Sequence, residues 1–328
     1  MRPAPFCLRG YNAAVFAVST SFRDFTRIES PPSVDAFARE IRDLGAAGVM
    51  IASGVPESRL REMLEIFSGA GCPVLAIDAP NPRPATFDRN LESFARVSAS
   101  DVDGEGRAIA ERLWRRTMEI AADARIPEVV VRLGRVERAP DVEAIEAILS
   151  DEPFGTRKTD AYVRDAMAAR AQRTAPHFDA ARRTLGAVLP VAERLGLTVS
   201  VVAPGTLDSI PSFRELETLQ REFEGAPLGV WLDTGAAFEI EALRLKAASA
   251  WVERFGAQLR GANLRDAKSA AEGIARDLRP GDGEVDFAAL KTALGDRFSR
   301  LVLAYTVPED DPGLARESIS HLRRGGWL

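Results

Sequence analysis

The chain has 328 residues, 46% of them hydrophobic, with 43 lysines and arginines against 48 aspartates and glutamates. That composition excludes wholesale disorder, and the net charge of −5 argues against a protein whose main partner is nucleic acid, because binding phosphates calls for a cationic surface. Two cysteines, Cys7 and Cys72, form no framework and no zinc spacing, so both read as reduced thiols. No stretch approaches the roughly eighteen apolar residues of a membrane span, and the first twenty residues lack a secretory pattern. The expected setting is cytoplasmic, with no membrane partner.

Short apolar runs then recur along the chain, each followed by a segment of helical period. They are AAVFAVS at Ala13, GVMIAS at Gly48, PVLAID at Pro73, EVVVRL at Glu128, TVSVVA at Thr198, GVWLD at Gly229, RGANL at Arg260 and LVLAY at Leu301. Strands apolar on both faces and separated by amphipathic helices imply a parallel sheet covered by helices. Eight such units in this length predict a closed (β/α)8 TIM barrel, α/β in class, as a single domain over 1–328. Gly45, Gly71 and Gly196 follow helical segments as C-caps, and Ser212 with Glu215 has the spacing of a capping box. Two long connections, at about 79–100 and 135–175, follow strands and therefore lie over the barrel's C-terminal mouth, either as lids or as an oligomer contact; a homo-oligomer is possible.

From about Phe178 to Tyr305 the chain resembles the xylose-isomerase-like TIM barrels, a superfamily of sugar and sugar-phosphate isomerases and epimerases with an endonuclease branch. VWLDTGAAFE looks like that family's Asp-x-Gly-His strand, RGANLRD like its His-x-Lys-Asp strand, and PGDGEVDFAAL like its Pro-Gly-x-Gly turn. The resemblance implies a divalent metal held by Glu, Asp, His and Glu on the fifth to eighth strands. Carried over by position, these fall on Val202, Asp233, Asn263 and Ala304, so one ligand of four is kept. One carboxylate and a neutral amide are too few for a hard or borderline cation, and the expectation is no metal cofactor. His177 and His321 sit in helical segments and read as structural.

With Asp233 inward, as the resemblance implies, strand parity turns Trp231 inward too; the family's frame adds Asn263 and Arg265, and Arg132 takes the place where the family often has an inward His. Two readings of Asp233 stay open. Arg132 or Arg265 takes over the charge role of the metal by pairing with it, or Asp233 caps the following loop while both arginines reach solvent. Asp78 after the third strand, Ser19, Thr20 and Arg23 after the first, and Tyr305 after the eighth are further polar groups expected to face the mouth; Asp266 is expected to order its own loop. The candidate site is therefore Asp233 as the catalytic group, with Arg132, Trp231, Asn263, Arg265, Asp78 and Tyr305 contacting a ligand.

Three functions are compatible with these residues. The first is a divergent sugar (phosphate) isomerase/epimerase-like protein that binds a sugar, sugar phosphate or polyol without metal. The second is an active metal-independent isomerase, epimerase or lyase using Asp233 with an arginine. The third is a non-catalytic structural or regulatory partner whose mouth is filled by side chains. The degenerate ligand set leaves open whether the chain is an enzyme. A role in the endonuclease branch is remote, since that chemistry uses a many-ligand metal cluster.

Overall fold

In a computed structural model the chain is described over residues 14–27, 30–87, 97–137, 155–270, 273–308 and 311–328. Eight parallel strands close into a barrel in chain order. They are β1 (Val15–Ser19), β2 (Gly48–Ile51), β3 (Val74–Ala79), β4 (Glu128–Val131), β5 (Thr198–Ala203), β6 (Leu228–Asp233), β7 (Leu259–Leu264) and β8 (Val302–Tyr305). Around them, among the described residues, run α1 (Val34–Asp43), α2 (Glu57–Gly69), α3 (Gly104–Asp123), α4 (Arg157–Leu195), α5 (Phe213–Glu222), α6 (Thr234–Ala242), α7 (Ala248–Phe255), α8 (Phe287–Leu294) and α9 (Pro312–Arg324). All eight apolar runs became strands.

The period of two sorts each strand into two environments. Val18, Ile51, Ile77, Val131 and Val201 face outward and pack under helices that supply Phe37, Met63, Trp114 and Leu185. Ala17, Met50, Ala76, Val130, Val202, Trp231, Val302 and Ala304 fill the barrel. Trp231 is the one aromatic among them, and β7 makes room for it: a Cβ on Gly261 would lie 2.4 Å from the indole.

The long helix α4 corrects the second connection. Residues 157–175 are not loop but its first half, continuous through Pro176 and capped by Thr156, whose hydroxyl accepts from the Thr159 amide. Alanine- and arginine-rich sequence favours helix. Burial of Arg170, bidentate on Glu215 at 2.8 and 2.9 Å, ties this half to α5, and Glu215 also closes the predicted capping box on the Ser212 amide. Residues 88–96 of the first connection, 138–154 of the second and Cys7 lie outside the described residues. Cys72 is a buried free thiol just before β3. His177 is likewise structural: it is buried on α4 with Nδ1 2.9 Å from the Ser100 carbonyl. Arg23 turns away from the mouth to pair with Glu40 of α1, and the Thr20 hydroxyl accepts from the Ala52 amide.

A second feature that composition concealed is the antiparallel hairpin of Asp266–Ala270 and Gly273–Leu278, which follows β7. Its base is organised by Asp266. The carboxylate accepts four backbone N–H groups, from Ala267 and Val285 on Oδ1 and from Gly281 and Gly283 on Oδ2, at 2.9–3.1 Å. A Cβ at Gly283 would sit 2.3 Å from that carboxylate, which explains the glycine in PGDG. Asp266→Ala leaves four backbone N–H groups, one of them buried, without this acceptor and is expected to cost about 2–4 kcal/mol in urea unfolding.

At the barrel's N-terminal end, Glu128 of β4 is buried between the Ser200 hydroxyl, which donates to Oε1, and Arg260, whose Nε is 3.4 Å from Oε2. Arg260 reaches inward because β7 is irregular where Leu259 and Gly261 face Val230 and Trp231. Burial outweighs both partners and pushes the Glu128 carboxyl up to about 7. The native state thus holds a proton that the unfolded chain releases near pH 4.5. The associated stability is complete below pH 4.5 and is lost as pH rises through 7. Over that window, stability of the wild type is expected to fall relative to Glu128→Gln by up to about 3 kcal/mol, read from urea midpoints at each pH.

Candidate functional site

The C-terminal mouth gathers the ends of β3, β4, β6 and β7. On β6, Asp233 is 2% exposed, and its carboxylate is engaged on both oxygens. Arg265, just past β7, donates Nε–H to Oδ1 at 2.6 Å, and the Ala236 amide donates to the same oxygen at 3.1 Å, capping α6. Asn263 Nδ2 lies 3.4 Å from Oδ2. Asp233 therefore takes a part of each reading: it pairs with an arginine, as the first has it, and it caps the next helix, as the second has it, while the second's free arginines are not both found. The arginine is Arg265; its side chain is 24% exposed, and its second arm pairs with Asp277 of the hairpin. Burial works against the guanidinium charge, but Asp233 and Asp277 outweigh it and raise the Arg265 pKa further.

Asn263 also turns its Oδ1 to the Trp231 Nε1–H at 2.8 Å, so the amide links the buried indole to the carboxylate above it. Trp231 is fully buried and lies beneath the mouth rather than at its surface. Beside this group, Arg276 of the hairpin pairs at 2.9 Å with buried Glu239 of α6. Burial raises the Glu239 carboxyl pKa, Arg276 and Arg265 pull it back, and Asp233 adds to the rise.

The other half of the mouth is built differently. Asp78, at the end of β3, is 6% exposed and accepts at Oδ2 from Arg132 Nη1 at 3.2 Å. Arg132 stands just past β4 with its side chain 52% exposed, so the pair presents one buried and one open member. Burial pushes the Asp78 carboxyl up, Arg132 draws it back, and the nearby charge of Asp233 raises it again.

Tyr305 does not belong to this group. It is fully buried in the layer between barrel and helices, edge-on to Phe22 with ring centroids 6.0 Å apart. The reason is parity: Val302 and Ala304 point into the barrel, so Tyr305 points out. Sequence reasoning missed Asp277, Glu239 and Arg276, since a partner brought by a hairpin carries no spacing signal in the strands themselves.

The donor set does not fit a divalent cation. Val202 and Ala304 offer no ligand atom, both oxygens of Asp233 already accept hydrogen bonds, and a guanidinium lies against the carboxylate where a cation would approach. Among the described residues no group of three or more His, Cys, Asp or Glu side chains could hold a metal ion. Nor is any helix among them long and apolar enough to cross a membrane.

Residues 38–325 match the xylose isomerase-like TIM barrel family, and the chain belongs to that family. Solved structures of similar fold include the 3-keto-D-glucoside 4-epimerase of E. coli, at 15% identity and TM-score 0.64 over 95% of this chain and 99% of that one. Another is the D-psicose 3-epimerase of Clostridium cellulolyticum H10, at 13% identity and TM-score 0.63, covering 96% of this chain and 99% of that one. A third is the mannonate dehydratase of Streptococcus suis, at 13% identity and TM-score 0.59, covering 95% of each chain. No curated protein sequence matches the chain. The protein is thus a TIM barrel of the xylose isomerase-like family.

Removing one member of a buried pair strands the other's charge. Arg265→Ala is accordingly expected to destabilise by about 3 kcal/mol in urea unfolding, and the double variant Arg265→Ala/Asp233→Ala to recover part of that loss.

Proposed function

We propose that the protein binds a sugar, sugar phosphate or related polyol at the barrel mouth, without the divalent metal of its family. The observation that carries this reading is the Arg265 guanidinium on Asp233 at 2.6 Å. A fixed cation sits where the family resemblance puts a metal, so the mouth keeps a positive centre beside a carboxylate, which suits hydroxyl and carbonyl oxygens.

Asp233 as a catalytic base is a weaker reading. The Arg265 charge and the donors on both oxygens stabilise the Asp233 carboxylate and so weaken it as a base. The filled interior, with Trp231 buried against Gly261, favours a pseudoenzyme as the second reading, in which binding or association replaces turnover.

Protein purified without chelator and then incubated with manganese, cobalt or magnesium is expected to hold less than about a tenth of an equivalent of metal by elemental analysis. A sugar and polyol panel at millimolar concentrations is expected to raise the melting temperature. Stoichiometric metal would overturn the metal-free part of the proposal, and a flat response to every sugar, sugar acid and sugar phosphate would overturn the ligand class.

A further inference from the structure

The two carboxylates of the mouth differ in one respect that their positions do not reveal. Asp233 has hydrogen-bond donors on both oxygens, whereas Asp78 has a donor on one. Asp78 Oδ1 is fully buried and receives no hydrogen bond from any described residue. An acceptor held that way is costly relative to a satisfied one, more so if it is charged, and a donor brought to the mouth by a ligand would relieve it. The side chain shares the inward parity of Ala76, and it senses the charge of Asp233, which places it in the barrel's interior at the mouth and not under the helices. Beside it the Arg132 guanidinium spends a single N–H, Nη1, on Asp78, at 3.2 Å, and stands half in solvent.

We infer that Asp78 and Arg132, rather than Asp233, are the ligand-binding pair of this protein, and that they take two adjacent hydroxyl groups of a neutral polyol. One hydroxyl donates to Asp78 Oδ1. Its neighbour accepts from the unused N–H groups of Arg132. The chemistry favours a neutral diol over an anion: the arginine's charge is already matched by Asp78, and an anion placed on Arg132 would also approach a buried carboxylate, which a hydroxyl relieves by donating to it. A sugar acid or a sugar phosphate would then be bound through its hydroxyls, with no gain from its charge.

The inference rests on the mouth being a carbohydrate site, and its test separates the two claims. Thermal shift and calorimetric titration are run with D-sorbitol, D-gluconate and D-glucose 6-phosphate on wild type, Asp78→Ala and Arg132→Ala. The expected result is that sorbitol binds wild type at least as tightly as the two anions, and that each variant weakens sorbitol by tenfold or more. Arg132→Ala removes a half-exposed side chain, so it keeps the test available if Asp78→Ala fails to fold. No response of wild type to any of the three, or to the wider panel, overturns the carbohydrate reading and this inference with it. Binding that survives in both variants overturns the Asp78–Arg132 assignment alone. Binding of gluconate or the phosphate without sorbitol overturns the neutral diol and makes the anion the recognised group.

Discussion

A carboxylate that is 2% exposed must be paired, and the way Asp233 is paired organises the C-terminal half of the barrel. Arg265 on β7's far end satisfies one oxygen; Asn263, two residues earlier on the same strand, reaches the other. Through Asn263 the constraint passes down to the Trp231 indole, and through Arg265 it passes out to Asp277 of the hairpin. The Ala236 amide fixes where α6 starts, and Glu239 on that helix binds Arg276 of the same hairpin. Interior, mouth and hairpin thus share one hydrogen-bonded network, and its parts are worth more together than as separate pairs.

The same network explains the difference between the two sides of the mouth. On the β6 and β7 side each charged group has its counter-charge, and both oxygens of the Asp233 carboxylate accept hydrogen bonds. On the β3 and β4 side a single contact joins Asp78 to Arg132, leaving an open acceptor and open donors. A metal-dependent barrel would concentrate its chemistry on the strands from β5 to β8. In this chain Val202 of β5 and Ala304 of β8 are apolar in the barrel's interior, and the groups with spare hydrogen-bonding capacity stand on the β3 and β4 side. The ends of the barrel also divide their work. Glu128, Ser200 and Arg260 close the N-terminal end, while the polar groups able to meet a ligand stand at the other, as the connectivity of a (β/α)8 fold favours.

Much of this was legible before any coordinates. Continuous apolar runs separated by helical periods identify parallel strands because both faces of such a strand are buried, and strand parity puts Trp231 on the same face as Asp233, which the family resemblance turns inward. Parity also excludes Tyr305, once it is applied to β8 as it was to β6. The hairpin after β7 was not legible: DAKSAAEGIARDL has alanine-rich composition that favours helix, and only pairing across its own turn and against α6 makes it a strand pair. The first half of α4 was hidden for a related reason, since Pro176 marks a break by local rules while Arg170 on Glu215 holds the helix continuous with its surroundings.

What the sequence by itself determined is the eight-stranded barrel and the family, because these depend on residue type at positions set by a regular period. What only the tertiary structure decided is which charge meets which. Arg132 and Arg265 are equivalent in pattern, each an arginine just past an inward strand end, yet one pairs with Asp78 and the other with Asp233. That choice follows from strand adjacency in the closed barrel: β4 lies beside β3, and β7 beside β6. A guanidinium at the end of one strand reaches the carboxylate of its neighbour, and distance in the sheet, not distance in the chain, sets the electrostatics of the site.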